Sequence, residues 1–261
     1  MRLASHRLWS LPLLLLLLSC HPRVGCGEST KRSAEGFEVP AYGTEEDIVR
    51  HIGYVASYNH QTLCPNWVAW ELTAEETRGE VQKSRNFSRD PDVDFPKASR
   101  EDYANSGWDK GHMAPHADMK WSLQALKESD YFTNICPQDH DMNNGAWKKI
   151  ENLTRDMALV YDTVWVVCGP IYDRQPPLTI GEAEVHVPDR FFKAMVVRSR
   201  GCYHAVGFLM ENTPQKAKPR SYAVSVDSVE AVIGRDLFPS LAEEVEAVVE
   251  WNVWNRKPNK K

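Results

Sequence analysis

Four consecutive residues in the middle of the chain, Asp109, Lys110, Gly111 and His112, combine groups that could hydrolyse a phosphodiester bond. The His112 imidazole titrates close to neutral pH and can accept a proton from water. Lys110 places positive charge where a phosphate develops negative charge. Gly111 has no side chain and would let a phosphate approach the backbone. Asp109 could orient a neighbouring side chain, so "DKGHMAP" is predicted to be a catalytic segment.

A second group of polar residues lies in "NNGAWKKIENLTRDMALVYD", whose apolar spacing predicts a helix. Asn143, Trp147, Glu151 and Arg155 recur every four residues and would form one slowly turning stripe. Asn143 and Glu151 would be roughly 12 Å apart along the axis, too far for both to bind one ion directly. One of them would therefore be the inner ligand and the other would act through water. Mg²⁺ keeps most of its water ligands in proteins, so it suits a site with only one direct protein ligand.

Each residue of this stripe also has a purely structural interpretation. Asn143 could be a helix N-cap, a position that Asn often occupies. Glu151 and Arg155 could form an ion pair between successive turns. Trp147 lies among apolar helix positions, so we expect it to pack in the core.

Other catalytic chemistries fit the sequence less well. His112 and His116 are four residues apart, but a zinc-protease helix needs Glu after the first His. Met113 follows instead, and Pro115 disfavours a continuous helix. His116 is therefore predicted to be a surface residue or one that supports the site indirectly. No G-x-S-x-G sequence or catalytic cysteine signature occurs. Structural roles alone are expected for His140, His186 and His204.

Taken in order, the motifs resemble those of DNA/RNA non-specific endonucleases of the ββα-metal (His-Me finger) superfamily. This group includes secreted bacterial sugar-non-specific nucleases and mitochondrial endonuclease G. "DKGHMAP" is similar to the family's D-R-G-H-x-x-P, and "TNICPQ" with "MNNGAWKKIE" to its N-x-x-P-Q and N-x-G-x-W-x-x-x-E. "RNFSRDP" resembles an upstream arginine loop, and "SVDSVEAVIGRDLFP" a C-terminal helix and turn. The resemblance covers roughly residues 45–256.

This resemblance implies a role for each matching residue. His112 matches the general base, and Asn143 matches the ligand of Mg²⁺, for which Mn²⁺ could substitute. Glu151 matches an acid that organises the water around the ion. Arg155 and Arg85 match arginines that hold or neutralise the phosphate.

Three further positions complete the predicted site. Asn134 matches an asparagine that supports the site, and Asp109 matches the first motif residue. Lys110 replaces the usual arginine, so the planar guanidinium that can bind a phosphate through two hydrogen bonds is replaced by a compact ammonium group. The resemblance also implies cleavage of DNA and RNA with little base preference, through contacts to the backbone, leaving 5′-phosphate ends.

The length of 261 residues suits one domain with a tail. The formal net charge is −5, whereas proteins that bind nucleic acid tightly are usually basic. Any polyanion must therefore meet a local basic patch.

The N-terminus predicts export. Arg2 and Arg7 precede the apolar run "LPLLLLLL", which resembles a secretory signal. Ser19 followed by Cys20 resembles a bacterial lipobox, so residues 1–20 are interpreted as a lipoprotein-type signal peptide with a lipid anchor on Cys20. Cleavage after Gly27 is the alternative. Residues 21–44 would form a flexible tether and residues 45–258 the nuclease domain, exported from a bacterial cytoplasm to the periplasm, the membrane or the cell surface.

The cysteines suit an oxidising compartment without specifying their pairing. They are Cys20, Cys26, Cys64, Cys136, Cys168 and Cys202. Lipidation of Cys20 leaves an odd number, whereas cleavage after Gly27 leaves four cysteines with three possible pairings. Burial as free thiols is the remaining alternative.

The predicted elements favour an α+β fold. Strand-like segments are "HIGYVASYN", "NWVAWEL", "TVWVVCGPIY", "FFKAMVVRS" and "CYHAVGFLM". A capped short helix ends at Gly234 and a longer closing helix follows. Strands and helices do not alternate regularly, so we expect a mixed, largely antiparallel central sheet flanked by helices. The resemblance adds a ββα-metal finger as the active site.

Two functions remain open from the sequence, and a third, a phosphodiesterase for small molecules, is disfavoured only by the family resemblance. The first is a magnesium-dependent endonuclease acting on DNA and RNA. The second is a non-catalytic surface lipoprotein that binds nucleic acid or glycan on a nuclease-like fold. The joint presence of His112, Asn143 and Glu151 favours the enzyme, and the acidic net charge disfavours a pure polyanion binder.

Overall fold

The structure, a computed structural model, describes residues 36–241. The predicted signal peptide, Cys20 and the closing helix lie outside these residues. The strands are β1 (Asp47–Arg50), β2 (Val55–Asn59), β3 (Cys64–Thr73), β4 (Asp109–His112), β5 (Ile135–Gln138), β6 (Thr163–Ile171), β7 (Thr179–Ile180), β8 (Val185–His186), β9 (Arg190–Ser199), β10 (Cys202–Glu211) and β11 (Ala223–Val224). The α-helices are α1 (Arg100–Tyr103), α2 (Leu123–Glu128), α3 (His140–Met142), α4 (Lys148–Tyr161) and α5 (Val226–Ile233). A π-helical turn spans Asn143–Trp147, and 3₁₀ turns span Glu76–Arg78, His116–Met119, Phe132–Asn134 and Pro219–Tyr222.

A seven-stranded sheet forms the centre of the fold. Its strand order is β1-β2-β3-β6-β9-β10-β11, and every neighbouring pair is antiparallel. β9 and β10 pair along their full length, from Cys202 opposite Ser199 to Glu211 opposite Arg190. The strands overlap the predicted segments, because their β-branched and aromatic residues suit a pleated surface. The predicted α+β fold with a largely antiparallel sheet is confirmed.

Both faces of this sheet are buried. On β9, Phe191 and Met195 join the core on one face, whereas Phe192 and Ala194 join the core on the other. Helix α4 packs on the first face, and helix α5 packs on the second through Val226. Because neither face meets water, the interior of β9 is apolar on both faces rather than alternating, with Lys193 as the exception.

Residues 36–44, part of the predicted tether, pack against the second face. Val39 is buried, and the Phe37 ring stacks on Tyr203 with centroids 5.3 Å apart. The backbone N–H of Ala41 donates to the carbonyl oxygen of Asp236 at 2.9 Å. The packed part of the chain therefore begins ahead of the boundary predicted at residue 45.

The described cysteines do not form two disulfides with one another, which was one possibility left by the sequence. Cys64, Cys136 and Cys168 are free and buried, whereas Cys202 is disulfide-bonded. The three thiols lie in the core cluster on the α4 face of the sheet, where they pack as small apolar side chains. Pairing among these three is therefore wrong. Within residues 36–241, no helix is both long and apolar enough to cross a membrane.

Candidate active site

Strands β4 and β5 and the helix that follows them form one compact unit, here called the finger (residues 109–112 and 135–161). The strands pair antiparallel, with His112 opposite Ile135. The Trp147 indole N–H donates to the carbonyl oxygen of His112 at 3.3 Å. The Asn143 amide Nδ2 donates to Asp109 Oδ2 at 2.9 Å. These two hydrogen bonds fix the start of the helix against β4, so the two sequence motifs meet there.

Asn143 is not the N-cap of this helix. Asp139 has that role, because its side chain accepts a hydrogen bond from the backbone N–H of Met142 at 2.9 Å. Asn143 lies inside the helical run, as the first residue of the π turn. Such turns recur at functional sites because they change the direction of the side chains around them. The four-residue stripe predicted from the sequence therefore does not start on a regular α-helix.

Gly145 in the middle of the π turn has a packing role. A Cβ atom there would lie 2.7 Å from the carbonyl oxygen of Gln215, which is closer than real contacts allow. The loop before the 3₁₀ turn Pro219–Tyr222 thus crosses directly over the helix. The Lys149 ammonium also binds this loop by donating to the Lys216 carbonyl oxygen at 2.9 Å.

His112, the predicted general base, is buried at the end of β4. Its Nε2 atom lies 3.1 Å from Asp130 Oδ1. Burial lowers the pKa of His112, and the hydrogen bond and charge of Asp130 oppose this only in part. A carboxylate accepts hydrogen bonds, so Asp130 favours the tautomer with the proton on Nε2. The Nδ1 atom then carries the lone pair that can accept a proton.

Sequence reasoning missed Asp130, which belongs to none of the motifs. Its Oδ1 atom also contacts His116 Nδ1 at 3.1 Å, and its Oδ2 atom accepts the backbone N–H of Asn86 at 2.7 Å. Burial raises the pKa of Asp130, but the hydrogen bonds from His112, His116 and Asn86 outweigh burial and hold it well below its usual value. Asp130 is therefore anionic and connects the loop of Arg85 to His112 through its hydrogen bonds. The expectation that His116 supports the site indirectly agrees with this contact.

Asp109 organises the other end of β4. Its carboxylate accepts hydrogen bonds from Asn143 Nδ2 at 2.9 Å and Asn144 Nδ2 at 3.2 Å. His140 Nδ1 lies 3.0 Å from the same carboxylate, whose hydrogen bond and charge raise the pKa of His140. Asp109 thus orients Asn143, as the sequence suggested. The contact with His140 was not predicted, because that residue was expected to have only a structural role.

Asn134 is fully buried behind the finger. Its Oδ1 atom accepts the backbone N–H of Ala114 at 2.8 Å, and its Nδ2 atom donates to the carbonyl oxygens of Ala114 and Ser129 at 2.9 and 2.8 Å. The Met113 N–H also donates to the Asn134 carbonyl oxygen at 2.9 Å. Asn134 therefore holds in place the segment that follows His112, and its supporting role in the site stays a prediction.

Glu151 and Arg155 lie on helix α4 of the finger but do not pair with each other. Arg155 Nη1 instead donates to Asp118 Oδ1 at 2.5 Å, and its Nη2 donates to Asn152 at 2.6 Å. The helical ion pair considered from the sequence is therefore wrong, because a buried carboxylate on another segment holds the guanidinium. No described residue donates a hydrogen bond to the Glu151 carboxylate.

A buried lysine, also missed by the sequence, lies beneath this helix. Lys193 on β9 is fully buried, and no described residue accepts a hydrogen bond from its ammonium. The ammonium lies 4.4 Å from the Trp147 ring centroid and 5.1 Å from that of Trp70, so cation–π contacts hold it. Trp147 is itself buried, as predicted. Burial raises the pKa of Glu151 to about 7, and the charge of Lys193 opposes that rise.

The other predicted cations lie at the surface of the site. Arg85 is exposed, and its charge lowers the pKa of both His112 and Glu151, which means that it lies near enough to both side chains to act on them through its charge. The Lys110 ammonium lies 5.7 Å from the Phe87 ring centroid and 5.5 Å from that of Tyr103. Both cations are therefore available beside the base.

The role expected for Gly111 is wrong. Gly111 is buried, and a Cβ atom there would lie 2.0 Å from Oε1 of Gln138 on β5. The buried Gln138 side chain, and not a phosphate, occupies the space beside the glycine. The need for glycine therefore comes from packing within the finger.

Two sets of His and acidic side chains among residues 36–241 have ligand atoms within 4.8 Å of one another and could hold a metal ion. One is His112, His116 and Asp130. The other is His51, Asp90 and Asp92, in which His51 Nε2 lies 2.7 Å from Asp90 Oδ2. Thr133 also donates to Asp90 at 2.5 Å, so this second set fastens the loop of Arg85 to the chain beside the finger.

Comparison with known proteins gives a consistent result. Residues 32–244 match the DNA/RNA non-specific endonuclease family. The chain is 33% identical over 228 residues to mitochondrial nuclease EXOG of Xenopus laevis, covering 81% of this chain and 63% of the relative. It is 31% identical over 248 residues to a nuclease of Serratia marcescens, covering 91% of both. The solved EndoG/EndoGI complex contains a chain with a TM-score of 0.72 and 27% identity, covering 78% of this chain and 91% of that one.

These relatives correct the expected location. Several are mitochondrial nucleases of eukaryotes, from frog, human, cattle and yeast. Export from a bacterial cytoplasm as a periplasmic or membrane-anchored lipoprotein is therefore a wrong expectation. It rested on a short basic and apolar N-terminus, a pattern that does not distinguish bacterial export from other targeting.

The chain spans only 63% of the frog relative and 62% of the human one. The match nevertheless covers the whole described fold, including every motif of the finger. The resemblance predicted from the motifs is thus confirmed, and the chain belongs to the DNA/RNA non-specific endonuclease family.

Proposed function

We propose that this protein is a magnesium-dependent endonuclease that hydrolyses DNA and RNA with little sequence preference and leaves 5′-phosphate ends. The observation that carries the proposal is the joining of its two motifs. Asn143 is bonded to Asp109, and Trp147 is bonded to the His112 carbonyl oxygen. A proton acceptor and an oxygen ligand for a hard cation are thereby held on one rigid unit.

The His112 imidazole accepts the proton of the attacking water. Its Nε2–H faces Asp130, which leaves the lone pair of Nδ1 for that water. Asp130 stabilises the imidazolium formed as the proton arrives, since the carboxylate is close and buried. The lowered pKa of His112 keeps the imidazole neutral, and therefore active as a base, at neutral pH.

The donor set beside His112 fits a hydrated Mg²⁺. The Asn143 amide nitrogen is bonded to Asp109, and no described residue donates to its Oδ1 atom, which is thus oriented as a ligand. Glu151 is a half-buried carboxylate without a hydrogen-bond donor, suited to hold water molecules around a cation. When bound, the ion supplies positive charge that stabilises the phosphate and the departing 3′ oxygen.

Cationic side chains supply the remaining charge for the phosphate. Arg85 and Lys110 lie beside the base, and neither pairs with a carboxylate among the described residues. Arg155 is held by Asp118 and is about one-fifth exposed, so it acts mainly through its charge. Attack by water at phosphorus with loss of the 3′ oxygen leaves the phosphate on the 5′ end. Contacts of this kind recognise the backbone and carry no base preference.

A plasmid-nicking assay and an RNA-digestion assay test the proposal. Wild type should cut both substrates with Mg²⁺ and stop with EDTA. His112→Ala should lose at least about a hundredfold, the contribution expected of a general base. His186→Ala is the matched control, because this histidine lies in the β7–β8 hairpin outside the finger.

Two outcomes would contradict the proposal. Equal activity of wild type and His112→Ala would remove the assigned base. Cleavage products that polynucleotide kinase labels without prior phosphatase treatment would carry 5′-hydroxyl ends and exclude the proposed direction of bond cleavage.

A further inference from the structure

His112, His116 and Asp130 form a cluster, here called the two-histidine cluster, with the composition of a transition-metal site. His112 Nε2 and His116 Nδ1 each lie 3.1 Å from Asp130 Oδ1. The Asp130 side chain is fully buried, and those of His112 and His116 are 8% and 11% exposed. Two imidazoles and one carboxylate therefore converge in a nearly closed space.

The backbone around the cluster holds all three side chains in place. His112 ends β4, and Pro115 leads directly into the 3₁₀ turn that begins with His116. Asn134 fastens the intervening segment. The Asp130 carbonyl oxygen accepts the backbone N–H of Ser88 at 3.2 Å. The ligand atoms are thus preorganised and need no refolding to meet an ion.

We propose that the two-histidine cluster is an inhibitory site for Zn²⁺ or a similar transition-metal ion, separate from the Mg²⁺ site at Asn143. The proposal that the cluster binds the ion depends only on the cluster, whereas the proposal that the ion inhibits the protein rests on the proposed nuclease function. Imidazole and carboxylate ligands suit Zn²⁺, whereas Mg²⁺ prefers oxygen ligands and water.

The distances from Asp130 Oδ1 to the two histidine nitrogens are compatible with such an ion. Zinc bonds of about 2.0–2.1 Å in a tetrahedron place neighbouring ligand atoms about 3.3 Å apart. The observed separation of 3.1 Å between Asp130 Oδ1 and each histidine nitrogen is close to that value. Ser129 Oγ lies 3.4 Å from His116 Nδ1 and could contribute the fourth ligand, as could water.

Charge also favours the ion. Asp130 is anionic, and a neutral imidazole is the form of histidine that binds metals. Arg85 is near enough to His112 to oppose a cation, but it is exposed to solvent, whereas the Asp130 carboxylate touches both imidazoles. The buried carboxylate outweighs the screened arginine.

Zinc binding would disable the base by reversing its tautomer. Without the ion, His112 carries its proton on Nε2 and its lone pair on Nδ1. With the ion on Nε2, that proton moves to Nδ1, and no proton is gained or lost overall. His116 changes in the opposite sense, from Nδ1–H to Nε2–H. The Nδ1 atom of His112 then donates a hydrogen bond and can no longer accept a proton from water.

His116→Asn is the matched variant. An Asn amide nitrogen can still donate to Asp130, but the amide is a far poorer zinc ligand than imidazole. The full-length protein, stripped of metal with EDTA, is titrated with Co²⁺, whose visible absorption reports tetrahedral nitrogen and oxygen coordination. Zn²⁺ affinity is then measured by calorimetry and by competition with Co²⁺.

We expect tetrahedral Co²⁺ absorption in wild type and its loss in His116→Asn. Zn²⁺ affinity should fall at least about a hundredfold in the variant, because even loss of an outer partner costs 10–100-fold. In cleavage assays at saturating Mg²⁺, the rate of each protein is divided by its own rate without Zn²⁺. The Zn²⁺ concentration that halves this relative rate should be higher for His116→Asn than for wild type by about the same factor as the loss of Zn²⁺ affinity.

Equal binding of Co²⁺ and Zn²⁺ by both proteins, or binding by neither, would overturn the site. If the binding difference holds but Zn²⁺ inhibits both proteins equally, inhibition acts elsewhere and that half of the proposal fails. If the metal-binding result holds in a protein without nuclease activity, the proposed function fails while the metal site stands. Thermal unfolding of both proteins checks that His116→Asn folds.

Discussion

Replacement of Asp130 by Asn tests how His112 is made a base. The substitution keeps the shape of the side chain and removes the charge 3.1 Å from Nε2. Two unit charges at this separation attract by about 5 kcal/mol at an effective dielectric constant of ~20, which is an upper bound. The net worth of a hydrogen bond to a charged group is smaller, about 1.5–3 kcal/mol. Because both partners are buried, solvent screening reduces this little.

A loss of about 1.5–3 kcal/mol from the transition state corresponds to about a 10- to 150-fold fall in kcat/KM. The pH profile should also move. Asp130 raises the pKa of His112 against the effect of burial, so its removal lowers that pKa further. His112 is then neutral down to a lower pH, and the acidic limb of the profile shifts downward while its plateau falls.

The assay is kcat/KM on duplex DNA at fixed saturating Mg²⁺ across the pH range. Asp173→Asn is the control, because Asp173 forms an exposed ion pair with Arg190 outside the site. If the plateau of kcat/KM in Asp130→Asn lies within about threefold of wild type, the loss of transition-state stabilisation is less than ~0.7 kcal/mol. That result would refute the role of Asp130 in stabilising the protonated His112. A lowered plateau with an unmoved acidic limb would mean that Asp130 acts only through packing.

Three further predictions concern the metal side of the site. Burial raises the pKa of Glu151 to about 7, so this carboxylate is mostly protonated below that pH. Mg²⁺ affinity, measured by calorimetry, should therefore weaken by about tenfold from pH 8 to pH 6. Glu151→Gln should abolish this dependence, and a pH-dependent affinity in that variant would exclude Glu151. The charge of Lys193 lowers the pKa of Glu151, so in Lys193→Met the fall in Mg²⁺ affinity should occur at a higher pH. An unchanged pH dependence of Mg²⁺ affinity would contradict this charge interaction. Lys110→Arg restores a planar guanidinium that can form two hydrogen bonds with a phosphate, and the kcat/KM of this variant should rise by no more than about tenfold. A large fall in kcat/KM would mean that the guanidinium does not fit beside Phe87.

The strands and motif residues could be predicted because their signals are local. The β9 and β10 segments are mostly apolar, although Lys193 and His204 lie within them. The α5 helix has Ser225 as its cap and Gly234, at φ 66°, as its stop. His112 and Asn143 were found from their residue types and their positions along the chain, and Asn134 from the resemblance to the family. The structure places all three in or behind the finger, as the motifs required.

The π turn could not be predicted, because an α-helical pattern contains no signal for one extra residue in a turn. The role of Gly111 was misjudged for a related reason. A glycine can accommodate a ligand or a neighbouring side chain, and only the pairing of β4 with β5 brings Gln138 beside it.

What the sequence by itself determined is the α+β fold class and the types and order of the residues to which roles are proposed: a histidine as base, an asparagine as metal ligand, an acid and nearby cations. The tertiary structure alone decided their partners. Asp130 meets His112 across 18 residues, and Asp118 meets Arg155 across 37. Lys193, on strand β9, reaches Trp147 at the end of the π turn. Such contacts depend on how segments fold over one another, and the pKa of each group depends on that burial and those charges.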